Sequence, residues 1–303
     1  KVIDDGTITR LEENKYRWTA ADPSLRWFRQ NGINMDVQIE DISEQTAALA
    51  LQGPTSGKLL KSVAEADIAN LKYFRVTSGK IGGVAVDISR TGYTGDLGYE
   101  IWMPWKDAVK VWDAIAEKGR AFDLHAAGML ALDVARIEAG LLLIEVDYTS
   151  SKKALIESQK YSPYELGFAK MVHLEKENFI GRSALFEDNR HGVARQLVGL
   201  EVQWTEVENL YDKFGLAPQA PSQASRVPVP VYAGDKHIGK ATSTTWSPLL
   251  KKMIALASID TDQSHLGNKV QMEITIEAIR LKVGATVVKT PFFNPPRKTA
   301  VPV

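Results

Sequence analysis

Two groups of residues combine carboxylates, phenols and glycines in patterns that could support catalysis or ligand binding. Asp4 and Asp5 stand next to each other at the head of a β-rich run, and residues 88–104 read ISRTGYTGDLGYEIWMP. Paired carboxylates can act as acid and base, because closeness or burial raises the pKa of one of them. Neighbouring residues of a strand point to opposite faces, so at most one of the two can face a given pocket. The pair is therefore a candidate for acid–base chemistry, with a solvated turn as the alternative.

The glycine-rich stretch 88–104 is the second group, and its glycines fall at an even spacing of three: Gly92, Gly95 and Gly98. Glycines adopt backbone conformations closed to other residues and let a ligand approach closely. Tyr93 and Tyr99 could stack on a flat heterocycle while Glu100 accepts hydrogen bonds from a ring N–H and an amino group. The alternative is a twisted hairpin whose tyrosines pack on a helix, and the pattern alone favours that alternative.

The remaining candidates are weaker. Arg136 lies two residues before Glu138 on a predicted helix, so the two side chains do not face each other. Trp246 in TSTTWSP could line a pocket, although a lone Trp in a β-domain more often belongs to the core. Neither GKIGG nor TGYTGDLG has the spacing of a phosphate loop. The five histidines are scattered without metal-ligand spacing and are interpreted as structural or exposed: His125, His173, His191, His237 and His265.

The composition is that of an ordinary globular protein without a dominant charge. Of the 303 residues, 44% are hydrophobic and 24% are charged, and Lys plus Arg balance Asp plus Glu at 37 each. A net charge of zero gives no global argument for binding nucleic acid or an anionic membrane. The absence of cysteine excludes thiol chemistry and fits a reducing compartment. We therefore expect a cytoplasmic protein that binds neither nucleic acid nor a membrane and holds no metal.

Residues 45–124 predict one α+β unit. The elements QTAALALQG, PTSGKLLKSVAE, YFRVTSG, GVAVDIS, YEIWMP and WKDAVKVWDAIAEKG follow the order β-α-β-β-β-α, which is typical of a ferredoxin-like unit. The last element should be a helix, because its apolar residues recur at helical spacing: Ala108, Val109, Val111, Trp112 and Ile115.

The segments on either side of this unit predict a hairpin, a helix and a C-terminal β-domain. GTITRL and KYRWTA surround the turn EEN, and because a chain seldom starts inside a hairpin, we expect a preceding segment to be missing. AAGMLALDVARIEAG predicts a helix that ends at Gly140 and shares one face between Ala127, Leu130, Val134 and Ile137. A short helix is expected at FIGRSALFEDN. Beyond residue 195 the strands are separated by turn signals, with residues 205–226 as a mobile insertion.

The order of motifs resembles the glycine cleavage T-protein, or aminomethyltransferase, family of folate-binding one-carbon transferases. The motifs that carry the resemblance run in the family's order along nearly the whole chain: VIDDGTITRL, LALQGP, SRTGYTGDLGYEIWMP, AAGMLALDVARIEAGLLL, SPYELGFAKMV, FIGRSAL and IGKATSTTWSPLLKKMIALASI, followed by VVKTPFFNPPRK. The resemblance implies three domains in a cloverleaf around tetrahydrofolate. Residues 1–44, continued by 125–195, would form the first domain, 45–124 the second, and 196–303 a C-terminal antiparallel β-barrel.

The resemblance also implies roles for single residues. Asp5 matches a carboxylate near the reactive N5 and N10 atoms of the folate and would be catalytic. Tyr93 matches a pocket tyrosine, and Glu100 matches the glutamate that grips the pterin ring. Arg136 and Trp246 complete the expected cofactor-binding set. The implied reaction moves a methyl or aminomethyl group from a small donor to N5 of tetrahydrofolate.

Two departures from the family pattern concern the donor. True T-proteins carry Asn where this chain has Ala21, and Arg where it has Leu132 before Asp133. These losses favour a demethylase or methyltransferase with a free small-molecule donor over the glycine-cleavage reaction, in which a lipoyl carrier protein presents the donor. A folate-binding protein without transferase activity is the alternative from another class.

Overall fold

The computed structural model describes residues 1–22 and 24–300, which form two compact units. The N-unit comprises Asp4–Ala127 together with residues 294–300. The barrel unit comprises Lys1–Ile3 and Gly128–Phe293. The predicted division into three domains at residues 45, 125 and 196 stays a prediction.

The N-unit begins with the expected hairpin. Strands β1 (Gly6–Glu12) and β2 (Lys15–Ala20) are antiparallel and form a two-stranded sheet, with Ile8 opposite Trp18. Helix α1 (Leu25–Asn31) follows. The rings of Trp18 and Phe28 meet edge to face at 5.2 Å between centroids, which packs α1 against the hairpin.

A five-stranded antiparallel sheet forms the rest of the N-unit. Its strands lie in the order β3-β7-β6-β5-β4, so that the first strand pairs with the last. The elements occur in the predicted order, with one additional two-residue strand. They are β3 (Thr46–Gln52), α2 (Ser56–Val63), β4 (Ala64–Glu65), β5 (Val76–Ile81), β6 (Val84–Ser89), β7 (Gly98–Pro104) and α3 (Ala108–Gly119).

One face of this sheet is the inner face, which packs against α2 and α3. Alternate residues of β6 and β7, such as Ile88 and Ile101, are buried there with Val111 and Ile115 of α3. The intervening positions of the strands make up the outer face. The expected apolar stripe of α3 is only partly buried.

The exposed part of α3 corrects the sequence prediction. Val109 and Trp112 are 71% and 50% exposed. They lie on the helix flank that points away from the sheet, whereas Val111 and Ile115, four residues apart, fall on the flank that faces it. Helical spacing therefore identified the helix but overestimated the width of its buried face.

The barrel unit contains the predicted C-terminal β-barrel. Six antiparallel strands close in the order β10-β11-β8-β13-β12-β9. The elements of the unit are α4 (Met129–Glu138), α5 (Arg182–His191), β8 (Arg195–Val202), α6 (Trp204–Asp212), β9 (Val229–Ala233), β10 (Lys236–Ser247), β11 (Lys252–Asp260), β12 (Lys269–Ile276) and β13 (Ile279–Val288). The described residues thus confirm a mixed α+β fold with an antiparallel barrel.

The segment 205–226 differs from its prediction as a mobile insertion. Its first part belongs to α6, and Val207 of that helix is buried in the barrel core. The Gly, Pro and Ser signals that favoured a loop all lie after the helix, in residues 215–225. The predicted loop therefore began too early in the chain, because its first residues are helical.

Helix α4 ends where the glycine signal predicted. Gly140 has φ of +65°, and the Leu141 N–H donates to the Arg136 carbonyl at 2.8 Å. Both features are typical of a helix whose C-terminus is followed by a left-handed glycine. The expected apolar face is wrong at one end, because Leu130 is exposed while Ile137 is fully buried.

Arg136 joins α4 to the barrel through buried charges. Its Nε donates to Asp133 Oδ1 at 2.7 Å, its Nη1 to Asp147 Oδ2 at 2.8 Å and its Nη2 to Ser243 Oγ at 2.9 Å. The arginine side chain is 1% exposed and Asp147 is fully buried. Arg226 supplies a second positive charge to Asp133 at 2.7 Å. A buried ion network of this kind is costly to break, because each remaining charge loses its partner.

We predict that Arg136→Met lowers the free energy of unfolding by about 3–5 kcal/mol, because it leaves two buried carboxylates without their shared cation. Urea unfolding measures this loss. Arg226→Gln is the matched control, since Arg226 is half exposed and should cost about 1 kcal/mol or less. Equal losses in the two variants would show that the buried network does not hold α4 to the barrel.

Candidate functional site

The glycine-rich loop between β6 and β7 is closed by one side chain from β3. Gln52 Nε2 donates to the carbonyls of Tyr99 at 3.1 Å and Thr91 at 3.4 Å, while its Oε1 accepts from Thr94 Oγ1 at 3.1 Å. The amide therefore bonds to the start and the middle of the loop and to the strand that follows it. It replaces the ladder bonds that β6 and β7 do not make to each other beyond Ser89 and Glu100.

The loop glycines make room for this amide. A Cβ at Gly92 or at Gly98 would lie 2.0 Å from Gln52 Oε1, closer than any two such atoms can approach. Gly95 has a different role, since its φ of +74° lies in the left-handed region that favours glycine. The expectation that the glycines let a ligand approach closely is wrong for Gly92 and Gly98, because Gln52 already fills that space.

Two arginines fix the other side of the loop to the C-terminal residues of the N-unit. Arg90 is buried and donates to the carbonyls of Leu71, Arg297, Lys298 and Ala300. Arg297 in turn binds Asp96 through both carboxylate oxygens, at 2.6 and 2.7 Å. A bidentate arginine–carboxylate pair constrains orientation as well as distance. The loop is thus held from both sides.

Glu100 lies on the outer face of the sheet, where its carboxylate is half-buried. Thr91 Oγ1 donates to Glu100 Oε2, and the Thr91 hydroxyl also bonds Ser89 Oγ at 2.8 Å. Trp102 Nε1 donates to the same Ser89 hydroxyl at 3.4 Å. This chain of hydroxyls orients the Glu100 carboxylate, so that it can accept hydrogen bonds from a ligand without first losing side-chain freedom.

The two tyrosines of the loop differ in exposure. Tyr93 is half-buried on the loop and remains a candidate for stacking. Tyr99 is 0% exposed on the inner face, so its predicted stacking on a ligand is wrong. Because Tyr99 and Glu100 are adjacent in β7, they must point to opposite faces. Burial raises the pKa of the Tyr99 phenol, which keeps it neutral inside the core.

The two N-terminal carboxylates divide their roles. Asp4 Oδ1 accepts the Asp5 N–H at 2.8 Å, and Asp4 Oδ2 accepts the Asp22 N–H at 3.2 Å. Asp4 therefore ties the two ends of the hairpin together. Asp5, half-buried next to the first residue of β1, is the member that remains a candidate for chemistry. Ala21, where the resemblance implies Asn, is exposed just after β2.

Within the N-unit, Arg17 connects the hairpin next to Asp5 with the sheet that carries Glu100. Arg17 of β2 donates through Nη1 to Asp87 Oδ2 of β6 at 3.0 Å. Its guanidinium carbon also lies 4.6 Å from the ring centroid of Trp102, two residues from Glu100 on β7. The hairpin that carries Asp5 is thereby attached to the face that carries Glu100.

Arg136 and Trp246, the other expected cofactor ligands, lie in the barrel unit. The Nε, Nη1 and Nη2 atoms of Arg136 donate to protein acceptors, which favours a structural role for it. Trp246 lies half-buried on β10 and packs on Trp204 with 4.7 Å between ring centroids. Leu132, where the resemblance implies Arg, lies on α4. The contact of Arg136 and Trp246 with a cofactor stays a prediction.

Sequence reasoning missed Gln52, Thr91 and the Arg17–Asp87 pair. Gln52 lies in the LALQGP motif, but no local signal shows that its amide reaches a loop forty residues away. Thr91 could have been found, because a hydroxyl next to a glycine loop and nine residues from a candidate carboxylate is a possible donor to it.

The described residues contain neither a cluster of metal-ligating side chains nor a helix able to span a membrane. Among residues 1–22 and 24–300, no three His, Cys, Asp or Glu side chains group closely enough to hold a metal ion. In the same part of the chain no helix is both long and apolar enough to cross a membrane.

The fold and site define an α+β protein with a closed antiparallel barrel and an oriented carboxylate beside a glycine-rich loop. The sequence model of the GCVT N-terminal domain matches residues 1–176, and that of the glycine cleavage T-protein C-terminal barrel domain matches residues 214–294. The chain belongs to the glycine cleavage T-protein family.

Two relatives and one solved structure are similar to this chain over most of its length. It is 36% identical over 298 residues to an aminomethyltransferase of Thermoanaerobacter sp. (strain X514), covering 97% of this chain and 73% of that protein. It is 34% identical over 307 residues to a trimethylamine-oxide aldolase of Ruegeria pomeroyi, covering 97% of this chain but 35% of that protein. The crystal structure of aminomethyltransferase T from Bartonella henselae shares the fold, with a TM-score of 0.74 and 23% identity over 96% of this chain and 72% of the other.

We predict that Gly98→Ala destabilises the protein by about 1–3 kcal/mol, because its Cβ displaces the Gln52 amide and leaves polar loop atoms unpaired. Gln52→Ala should cost a similar amount. In the double variant the second change should cost little. Its loss in urea unfolding should therefore be smaller than the sum of the two single losses by about 1–3 kcal/mol. Strict additivity would contradict the proposed fit between glycine and amide.

Proposed function

We propose that the chain is a tetrahydrofolate-dependent transferase that moves a methyl or aminomethyl group from a donor to N5 of tetrahydrofolate. The observation that supports this most is Glu100, a carboxylate oriented by Thr91 on the outer sheet face of a T-protein family member. Such a carboxylate matches the ring N–H and amino group at one edge of a pterin. Tetrahydrofolate itself supplies the N5 amine, a weak nucleophile.

Each proposed residue either positions the folate or handles the proton or charge at N5. Glu100 binds the pterin edge and fixes the orientation of the ring. Tyr93, on the loop that Gln52 closes, forms part of the pocket wall. Asp5 accepts the proton that leaves N5 or stabilises the positive charge that develops during transfer. Because N5 is weakly nucleophilic, alignment of N5 with the one-carbon donor provides much of the rate.

Two classes of donor remain for this proposal. The relatives named aminomethyltransferase favour an aminomethyl donor, which a lipoyl carrier protein would present. Ala21 and Leu132 stand where the resemblance implies Asn and Arg, and they favour a free small-molecule donor of a methyl group. Activity on free donors without any carrier distinguishes the two.

We predict that the purified chain converts tetrahydrofolate to its 5-methyl or methylene form when given a donor from a panel of O-, S- and N-methyl compounds or an aminomethyl-lipoyl carrier. Mass spectrometry of the folate product measures this. Asp5→Asn should keep tetrahydrofolate affinity and lower the rate by about 10²–10⁴-fold. Tight folate binding without transfer from any donor would favour the binding-protein alternative.

Glu100→Gln should weaken tetrahydrofolate binding by about 10–100-fold, because charge-assisted hydrogen bonds contribute roughly 1.5–3 kcal/mol each. Isothermal titration calorimetry measures the affinity. Glu65→Gln is the control, since Glu65 is an exposed glutamate on β4 of the same sheet. Unchanged affinity in Glu100→Gln would contradict the proposed pterin contact.

A further inference from the structure

Helix α3 carries an exposed apolar stripe on the flank that points away from the sheet. Val109 and Trp112 are at least half exposed there, and Trp105, in the turn that leads into the helix, is 64% exposed. Spacings of four and three residues place these three side chains along one line of the helix surface. The stripe lies within the N-unit. Contiguous exposed apolar surface of this kind marks a face that another protein covers.

Four charged side chains run beside the apolar stripe on one flank of the helix, and all four are exposed. Two basic residues lie toward the N-terminal end and two acidic residues toward the C-terminal end: Lys106 and Lys110, then Asp113 and Glu117. Within residues 1–22 and 24–300, none of the four forms an ion pair with an opposite charge. The flank therefore presents a basic half and an acidic half to the surroundings of the molecule.

The order of these charges is unfavourable for a helix on its own. Lys110 is in the first turn of α3 and Glu117 in the last turn, so each lies at the end of the helix dipole that carries its own sign. Asp113 and Glu117 are four residues apart, which brings two like charges together on the helix surface. Opposite charges on a neighbouring molecule offset both effects.

A second copy of the same helix, packed antiparallel, supplies the opposite charge at each position. One twofold axis satisfies two pairs at once, Lys110 with Asp113 and Lys106 with Glu117, because the midpoint of 110 and 113 is also the midpoint of 106 and 117. The axis keeps the charged flanks of both helices on the same side and brings the apolar stripes together. A parallel pair would place the charged flank of one helix against the opposite flank of the other, so the charges favour the antiparallel arrangement.

We propose that the protein forms a twofold dimer in which the α3 helices of two copies pack antiparallel, with the apolar stripes at the centre and the lysine–carboxylate pairs along one side. A 12-residue helix is about 18 Å long, so the contact is small and we expect a dissociation constant in the micromolar range. The dimer goes beyond the proposed transfer and needs no folate, so the failure of one does not imply the failure of the other.

Sedimentation velocity of the full chain, from micromolar to several hundred micromolar protein, measures this association. Trp112→Glu places a charge in the middle of the stripe and should leave the protein monomeric at every concentration. Because Trp112 is half exposed, the variant should fold, and far-UV circular dichroism checks this. Lys80→Glu, at an exposed lysine of β5 in the same unit, is the control and should dimerise as the wild type does.

Two charge variants test the antiparallel register. Lys110→Glu and Asp113→Lys each place like charges opposite each other in the dimer, so each should weaken self-association by about five- to thirty-fold. An equimolar mixture of the two variants should associate as tightly as the wild type, because the altered residue of each then meets an opposite charge on the other. A change in folding cannot be rescued by mixing.

The proposal is overturned if the wild type stays monomeric throughout, if a folded Trp112→Glu variant dimerises as tightly as the wild type, or if the mixture of charge variants associates no better than each variant alone. Binding of another protein to the stripe without self-association also overturns it.

Discussion

The Gln52 amide in the loop between β6 and β7 is the contact on which the proposed site depends. Residues 90–97 make no regular ladder, so their backbone polar groups need partners from elsewhere. Gln52 binds the Thr91 carbonyl and the Thr94 hydroxyl of this loop and the Tyr99 carbonyl just after it. The missing side chains of Gly92 and Gly98 let its amide enter. The position of Tyr93 and of the Thr91 hydroxyl that orients Glu100 follows from this one insertion. Gly92 and Gly98 of this loop therefore make room for the Gln52 side chain.

Buried arginines in this protein serve to fix backbone and helices. Arg90 binds carbonyls of the C-terminal residues, and Arg136 binds two carboxylates between α4 and the barrel. Both guanidiniums spend most of their donors on protein acceptors. Arg17 has a similar role, since it connects the first hairpin to the sheet through Asp87 and the ring of Trp102.

Much of the fold could be predicted from the sequence, because its signals are local. Turn signals between β-rich runs identified the strands that close the barrel, and the turn EEN identified the first hairpin. The alternation of side chains along a strand also decides between Tyr99 and Glu100, since neighbours in β7 cannot share a face. The errors concern longer distances or element limits. Helical spacing could not show that Trp112 is exposed, loop signals concealed α6, and no pattern in the chain connects Gln52 to Gly98.

The central claim is that Glu100 holds the pterin edge of tetrahydrofolate on the outer face of the sheet. A crystal structure of the chain with tetrahydrofolate bound tests it most directly. The account predicts the Glu100 carboxylate oxygens at about 2.7–3.1 Å from the ring N–H and the amino nitrogen of the pterin, with Gln52 still inside the loop. A pterin bound elsewhere, with Glu100 facing water, would contradict it.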